Sequence, residues 1–130
     1  MIDFAESSLH ALRWAAAMAA KLNAHVTIVH PYRLNQLEKK ENMIKVKKAI
    51  DVDAAQNFDR IAKTIFKPSQ SYDFRSEVGF IADRVQDFLH KNRVVMLVIS
   101  KSMVGANREV LDELIQQSDV PLVIVPEATN

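Results

Sequence analysis

Apolar positions recur along the chain with two periods, three to four residues in some stretches and two or continuous in others. Asp3, followed three residues later by Glu6, reads as a capping-box start, and Leu9, Leu12, Ala16 and Ala20 then mark one face of a helix running to about Leu22. "HVTIVHP", rich in β-branched residues and closed by Pro31, predicts a strand apolar on both faces, which suits an interior place in a parallel sheet. From about Gln36 to Phe66 neither Gly nor Pro interrupts. There Met43, Val46, Ile50, Ala54, Phe58, Ile61 and Ile65 keep helical spacing, so one long amphipathic helix is expected. "YDFRSEV" puts Tyr72, Phe74, Ser76 and Val78 on one face of a half-exposed strand.

After Gly79 comes a helix with Ile81, Val85, Phe88 and Leu89 inward, then the apolar strand "VVMLVIS". "KSMVGA" reads as a loop. Asn107 caps a short helix with Leu111, Leu114 and Ile115 inward, and "PLVIVP" is a closing strand bracketed by Pro121 and Pro126. Helices alternating with apolar strands over 130 residues predict one α/β domain, residues 1–130, with a doubly wound parallel sheet and helices on both faces. The alternation begins on a helix, with only Met1 and Ile2 ahead of Asp3 to serve as a first strand.

Composition narrows the function classes. With 17 Lys and Arg against 16 Asp and Glu, the net charge of +1 offers no electrostatic case for nucleic acid or an anionic membrane. The basic run "EKKENMIKVKK" is broken by Glu38 and Glu41 and carries no aromatic, so it reads as a solvated helix face. Absence of cysteine excludes disulfides, thiolate metal sites and a cysteine nucleophile, and fits a reducing cytoplasm, the expected location. No apolar run approaches the roughly 20 residues of a membrane span. With only Gly79 and Gly105, neither a dinucleotide-binding G-x-G-x-x-G nor a P-loop can be written.

No catalytic or metal constellation is expected either. His25 and His30 are an odd number of residues apart on one strand, and His10 and His90 sit on separate helices without partners at i+3 or i+4. His30 is expected to cap or face solvent, with a place in a ligand crevice as the alternative. Ser7 and Ser8 lack a G-x-S-x-G elbow and are not read as nucleophiles.

Three stretches in order, "DFAESSLHALRWAAAMA", "EVGFIADRVQDFLHKNRVVMLVISK" and "VLDELIQQSDVPLVIVP", resemble the universal stress protein family over nearly the whole chain. The resemblance implies a five-stranded parallel sheet of order 3-2-1-4-5, with the first strand abbreviated or missing here, and an adenine nucleotide alpha hydrolase-like architecture. It also implies a non-enzymatic stress or regulatory role. ATP-binding members carry a glycine-rich motif after the fourth strand; this chain has "SKSMVGANREVLDEL" instead, so standard ATP binding is not expected. The alternative is a divergent sensor binding ATP or AMP weakly through Asp3, Pro31, Lys101, Ser102 and Arg108. In the implied order the last strand is an edge, and Leu122, Val123, Ile124 and Val125 carry no charge to block pairing, so a homodimer through this strand is expected.

Overall fold

A computed structural model describes residues 1–34, 40–105 and 108–127. In chain order the elements are α1 (Glu6–Leu22), β1 (Val26–Tyr32), α2 (Lys40–Ile65), β2 (Tyr72–Val78), α3 (Ile81–Lys91), β3 (Leu97–Ser100), α4 (Lys101–Gly105), α5 (Arg108–Gln117) and β4 (Leu122–Val125). The expected helix start near Gln36 and the Asn107 cap lie outside the described residues.

The strands form two parallel pairs instead of one continuous sheet. β1 pairs with β2 from Val26 opposite Tyr72 to Tyr32 opposite Val78, and β3 pairs with β4 from Leu97 opposite Leu122 to Ser100 opposite Val125. What joins the pairs is the first two residues. The Ile2 N–H donates to the Val29 carbonyl at 3.0 Å, and the Met1 amine donates to the Val98 carbonyl at 3.1 Å. Met1 and Ile2 therefore stand where the central strand of a doubly wound sheet would run, and the spatial order is β2, β1, Met1–Ile2, β3, β4.

Adjacent residues of an extended chain point to opposite faces, and here they point into different cores. Ile2 is buried with Leu12 and Ala16 of α1, Ile28 of β1, and Phe58 and Ala62 of α2. Met1 packs against the second cluster, Val85 of α3, Ile99 of β3, Val104 of α4 and Leu114 of α5. This places α1 and α2 on one face and α3, α4 and α5 on the other, the two-layered covering that apolar parallel strands require.

Several local expectations are corrected by this packing. Asp3 does not cap α1: the N-cap is Ala5, which offers no side-chain hydrogen bond, because Phe4 takes a left-handed φ of 65° and turns the chain between Ile2 and the helix. The helix ends at Asn23, also left-handed at φ 51°, a conformation its short polar side chain tolerates. Ala20 is exposed, and the buried stripe of α1 is Ala11, Leu12, Ala16 and Ala19. "KSMVG" is helical, not a loop, since burying Val104 and packing Met103 in the second core draws it into a turn of helix. In α5 the inward ridge is Val110, Leu111 and Leu114, which leaves Ile115 60% exposed. The first half of α2 buries no side chain before Ala54, and Val46 is exposed there.

Candidate functional site

In doubly wound sheets ligands bind at the carboxyl ends of the strands. Here that edge is formed by the turn after Ile2, the start of α1, the end of β1 and the junction of β3 with α4. Two groups of side chains meet there.

The first is a set of hydroxyls between α1 and β3. Ser8 and Ser100 are completely buried, and their Oγ atoms lie 3.4 Å apart. Ser8 Oγ also accepts from the Asp3 N–H at 3.3 Å, and Ser100 Oγ lies 3.1 Å from Ser102 Oγ. The Ser7 and Ser102 hydroxyls share a hydrogen bond of 2.5 Å. Buried hydroxyls are costly unless paired, and these pair with one another, so α1 is fastened to the end of β3 by polar contacts across the sheet's carboxyl edge.

The second group is aromatic. The Phe4 ring meets His30 edge-on at 5.0 Å, and His30 stacks on Tyr32 at 5.7 Å and on Phe74 at 6.5 Å. Desolvation in this stack lowers the His30 pKa below its ordinary value, although the charges of Asp3 and Asp51 pull the other way. Tyr32 donates to Asp51 Oδ1 at 2.7 Å, and Lys47 holds Asp51 Oδ2 at 2.5 Å. Burial of the phenol, together with its hydrogen bond to Asp51 and that carboxylate's charge, drives the Tyr32 pKa upward. His30 is thus half-buried among rings, which corrects the expectation that it caps or faces solvent.

The five residues of the nucleotide alternative divide. Asp3 is exposed and its Oδ1 accepts from the Ala5 N–H at 3.0 Å, so it braces the turn. Ser102 sits within the hydroxyl set, and Lys101, exposed, is its neighbour at the start of α4. Pro31 lies in β1 opposite Glu77, half-buried beside His30. Arg108 is exposed at the first position of α5. Asp3 and Ser102 are brought to one edge through Ser8 and Ser100, but the polar atoms there already satisfy each other.

Sequence reasoning missed Ser7, Ser8 and Ser100 as a structural unit, and Phe4, Tyr32 and Asp51 as neighbours of His30. One signal was present: Ser8, Leu12 and Ala16 lie four apart, so Ser8 falls on the buried stripe, where a serine needs a partner. Among the described residues no three His, Asp or Glu side chains group as metal ligands, and no helix is long and apolar enough to cross a membrane.

The description of the universal stress protein family fits residues 1–126 of the chain. The chain belongs to the universal stress protein family. A solved universal stress protein in complex with cAMP superposes with a TM-score of 0.69 at 21% sequence identity, covering 98% of this chain and 94% of that one. This likeness establishes the shared α/β fold. No curated protein matches the chain. As a universal stress protein it has its family's helices and parallel strands, and Met1 and Ile2 lie between its two strand pairs.

Proposed function

We propose that this universal stress protein is a non-enzymatic, cytoplasmic domain of a stress or regulatory response that acts by homodimerisation and protein association, without standard ATP binding. The observation that carries the reading is the path of the chain after β3. A glycine-rich cradle wraps phosphate with backbone N–H groups in left-handed or open conformations. In this protein Ser100 leads straight into α4, and Gly105 ends that helix without a positive φ and with open space where a Cβ would stand. Nothing about Gly105 requires a glycine. The hydroxyls beside it are bonded among themselves, and Phe4 lies on His30 where the crevice between β1 and β3 would open.

Calorimetric titration with Mg-ATP tests this directly. The expected result is no saturable heat at micromolar ligand; a low-micromolar dissociation constant overturns the reading.

A second reading, a divergent nucleotide sensor, draws on two facts. The structural neighbour was solved with cAMP, and Ser102 and Lys101 occupy the carboxyl edge of β3. Titration with AMP and cAMP beside ATP distinguishes it: saturable binding of either ligand favours the sensor, and its absence favours the first reading.

A further inference from the structure

The register of β1 against β2 begins with Val26 opposite Tyr72. One step earlier, His25 and Ser71 therefore face each other, and the Val26 N–H donates to the Ser71 carbonyl at 3.1 Å to hold them there. Side chains two apart on a strand share a face, so His25 and Thr27 stand beside Ser71, Asp73 and Arg75. Tyr72 and Phe74 point the other way, where Tyr72 stacks on Phe66 at 4.2 Å and Phe74 on Phe58 at 4.5 Å. That stacking fastens β2 to α2 and gives the polar face a firm base.

On this face the polar atoms connect in one order. Ser71 Oγ lies 2.5 Å from His25 Nδ1, and His25 Nε2 lies 2.7 Å from Asp73 Oδ1. Thr27 Oγ1 donates to the same Oδ1 at 2.7 Å, and Arg75 Nε donates to Oδ2 at 3.2 Å. Burial works to raise the Asp73 pKa, but the hydrogen bonds from Thr27, His25 and Arg75 outweigh it and keep the carboxyl below its usual range. An ionised carboxylate only accepts hydrogen bonds, so in the neutral imidazole Nε2 carries the proton. Nδ1 is then the acceptor for the Ser71 hydroxyl. A carboxylate orients a histidine, and the histidine's free lone pair meets a serine hydroxyl, the relation of groups that activates a serine.

We propose that Ser71 is an acylation site: a serine made nucleophilic by His25, with Asp73 as positioning residue, that takes an acyl group from an activated ester or thioester. The inference goes beyond the association reading and leaves it standing, because one ester forms per chain and no turnover is implied.

In the step, Ser71 Oγ attacks the acyl carbonyl carbon while its proton passes to His25 Nδ1. The tetrahedral adduct collapses with loss of the alkoxide or thiolate, breaking the donor's C–O or C–S bond. The proton on Nδ1 leaves with that group, which restores the neutral imidazole and leaves an ester on Ser71. Access is open: Ser71 is exposed, and the His25 and Asp73 side chains are 49% and 38% exposed. The charge of Asp73 favours an uncharged acyl group on this hydroxyl over a phosphoryl group, which a neighbouring carboxylate repels.

The test incubates the full chain with p-nitrophenyl acetate in one arm and an S-acetyl thioester in the other, and locates acetyl groups by fragmentation mass spectrometry. Ser69, exposed in the same connection between α2 and β2, is the control hydroxyl. Ser71 should be acetylated at least about a hundredfold faster than Ser69 in one arm or both, the lower range of general-base catalysis, and the arm that reacts names the donor. His25→Ala should bring Ser71 down to the Ser69 rate with an unchanged circular dichroism spectrum, since only an exposed ring is removed. Asp73→Asn should slow Ser71 as well. Nitrogen NMR of the His25 ring should show the Nε2–H tautomer in the unaltered chain and a mixture of tautomers in Asp73→Asn. Equal rates at Ser71 and Ser69 in both arms overturn the proposal. So does an undiminished Ser71 rate in His25→Ala, or a His25 proton found on Nδ1 in the neutral ring of the unaltered chain. Where His25→Ala fails to fold, the Ser71 to Ser69 ratio in the unaltered chain decides alone. These groups lie at the amino ends of the strands, away from the edge that the Mg-ATP titration probes, so the two readings fail separately.

Discussion

The N–H of Ile2 donates to the carbonyl of Val29 at 3.0 Å, while the Ile2 side chain, 2% exposed, sits in the core shared by α1, β1 and α2. Its neighbour Met1 reaches β3 and the opposite core. One dipeptide therefore ties together two half-sheets and two cores. Ile2→Ala should cost about 2–4 kcal/mol, since it leaves a cavity in the core shared by α1, β1 and α2. Urea denaturation measures this. A loss no larger than that of an exposed aliphatic residue such as Ile44 would show that the halves are held together elsewhere, through α1 alone.

How far the sequence foretold this arrangement depends on the range of the interactions involved. β2 spans Tyr72–Val78 as its alternation predicts, because period-two patterning is a local property. "VVMLVIS" promised seven residues of strand, yet β3 begins only at Leu97, and Val95 is 69% exposed. A strand extends as far as its partner does, and β4 supplies four residues, Leu122–Val125. The alternation could not report that limit. "KSMVGA" looked like a loop from its serine and glycine, whereas the contacts that make it helical come from Val104 and Met103 meeting a core built by α3 and α5. The pairing of Ser7 with Ser102 joins residues 95 apart, and the Tyr32–Asp51 bond crosses from β1 to α2. No periodicity carries such information. The place of Met1 and Ile2 between β1 and β3 was legible from the strand order that the family resemblance implies; their separate burial in two cores was not.

Acid should destabilise the protein through three groups that are held in one protonation state. Burial raises the pKa of Asp73, but hydrogen bonds from Thr27, His25 and Arg75, with the Arg75 charge, outweigh it, so the net shift is down. Asp51 behaves likewise: desolvation is outweighed by Lys47, Tyr32 and Ser76. His30 is shifted down by desolvation. For each, the folded state binds fewer protons than the unfolded chain between the two pKa values. The stabilisation is therefore complete above the unfolded value and lost as pH falls through the folded one. Loss from His30 begins below about pH 6.5, and loss from the carboxylates below about pH 3.9. Urea midpoints measured across this range should fall in both windows. His30→Phe should flatten the upper window and Asp73→Asn the lower; an unchanged profile in either variant removes that residue from the account.

The two glycines should respond in opposite ways to alanine. Gly79 has φ +144°, where side chains are strained, and a Cβ there would lie 2.8 Å from Arg84 Nε. Arg84 can swing aside, so the backbone angle dominates, and Gly79→Ala should destabilise by about 1–3 kcal/mol. Gly105 has neither constraint. Gly105→Ala should be neutral or stabilise by up to about 1 kcal/mol, because alanine is the better helix residue. Thermal and urea denaturation of both variants compare them directly. Marked destabilisation at Gly105 would mean that its backbone adopts a conformation only glycine tolerates, and would reopen the case for a phosphate-binding turn.

The outer edge of β4 carries the dimer prediction. β4 is hydrogen-bonded to β3 alone among the described strands, and its residues Leu122, Val123, Ile124 and Val125 are uncharged, with Ile124 37% exposed. Edges of this composition invite pairing, and lysine or a bulge is the usual protection. Two copies meeting antiparallel about a two-fold axis would hydrogen-bond both edges and cover Ile124, closing the assembly at two. Pro121 and Pro126 lack an N–H and flank the strand, so the contact is confined to these four residues. Ile124→Lys places an ammonium in that seam and should yield a monomer without loss of fold, since the side chain is partly exposed already. Val123→Lys should act alike if its side chain also meets the partner. Light scattering on the order of 100 μM, far above a micromolar dissociation constant, decides between the states. A monomer from the unaltered chain at that concentration would show that this edge is left unpaired in solution, and association would then have to use another face.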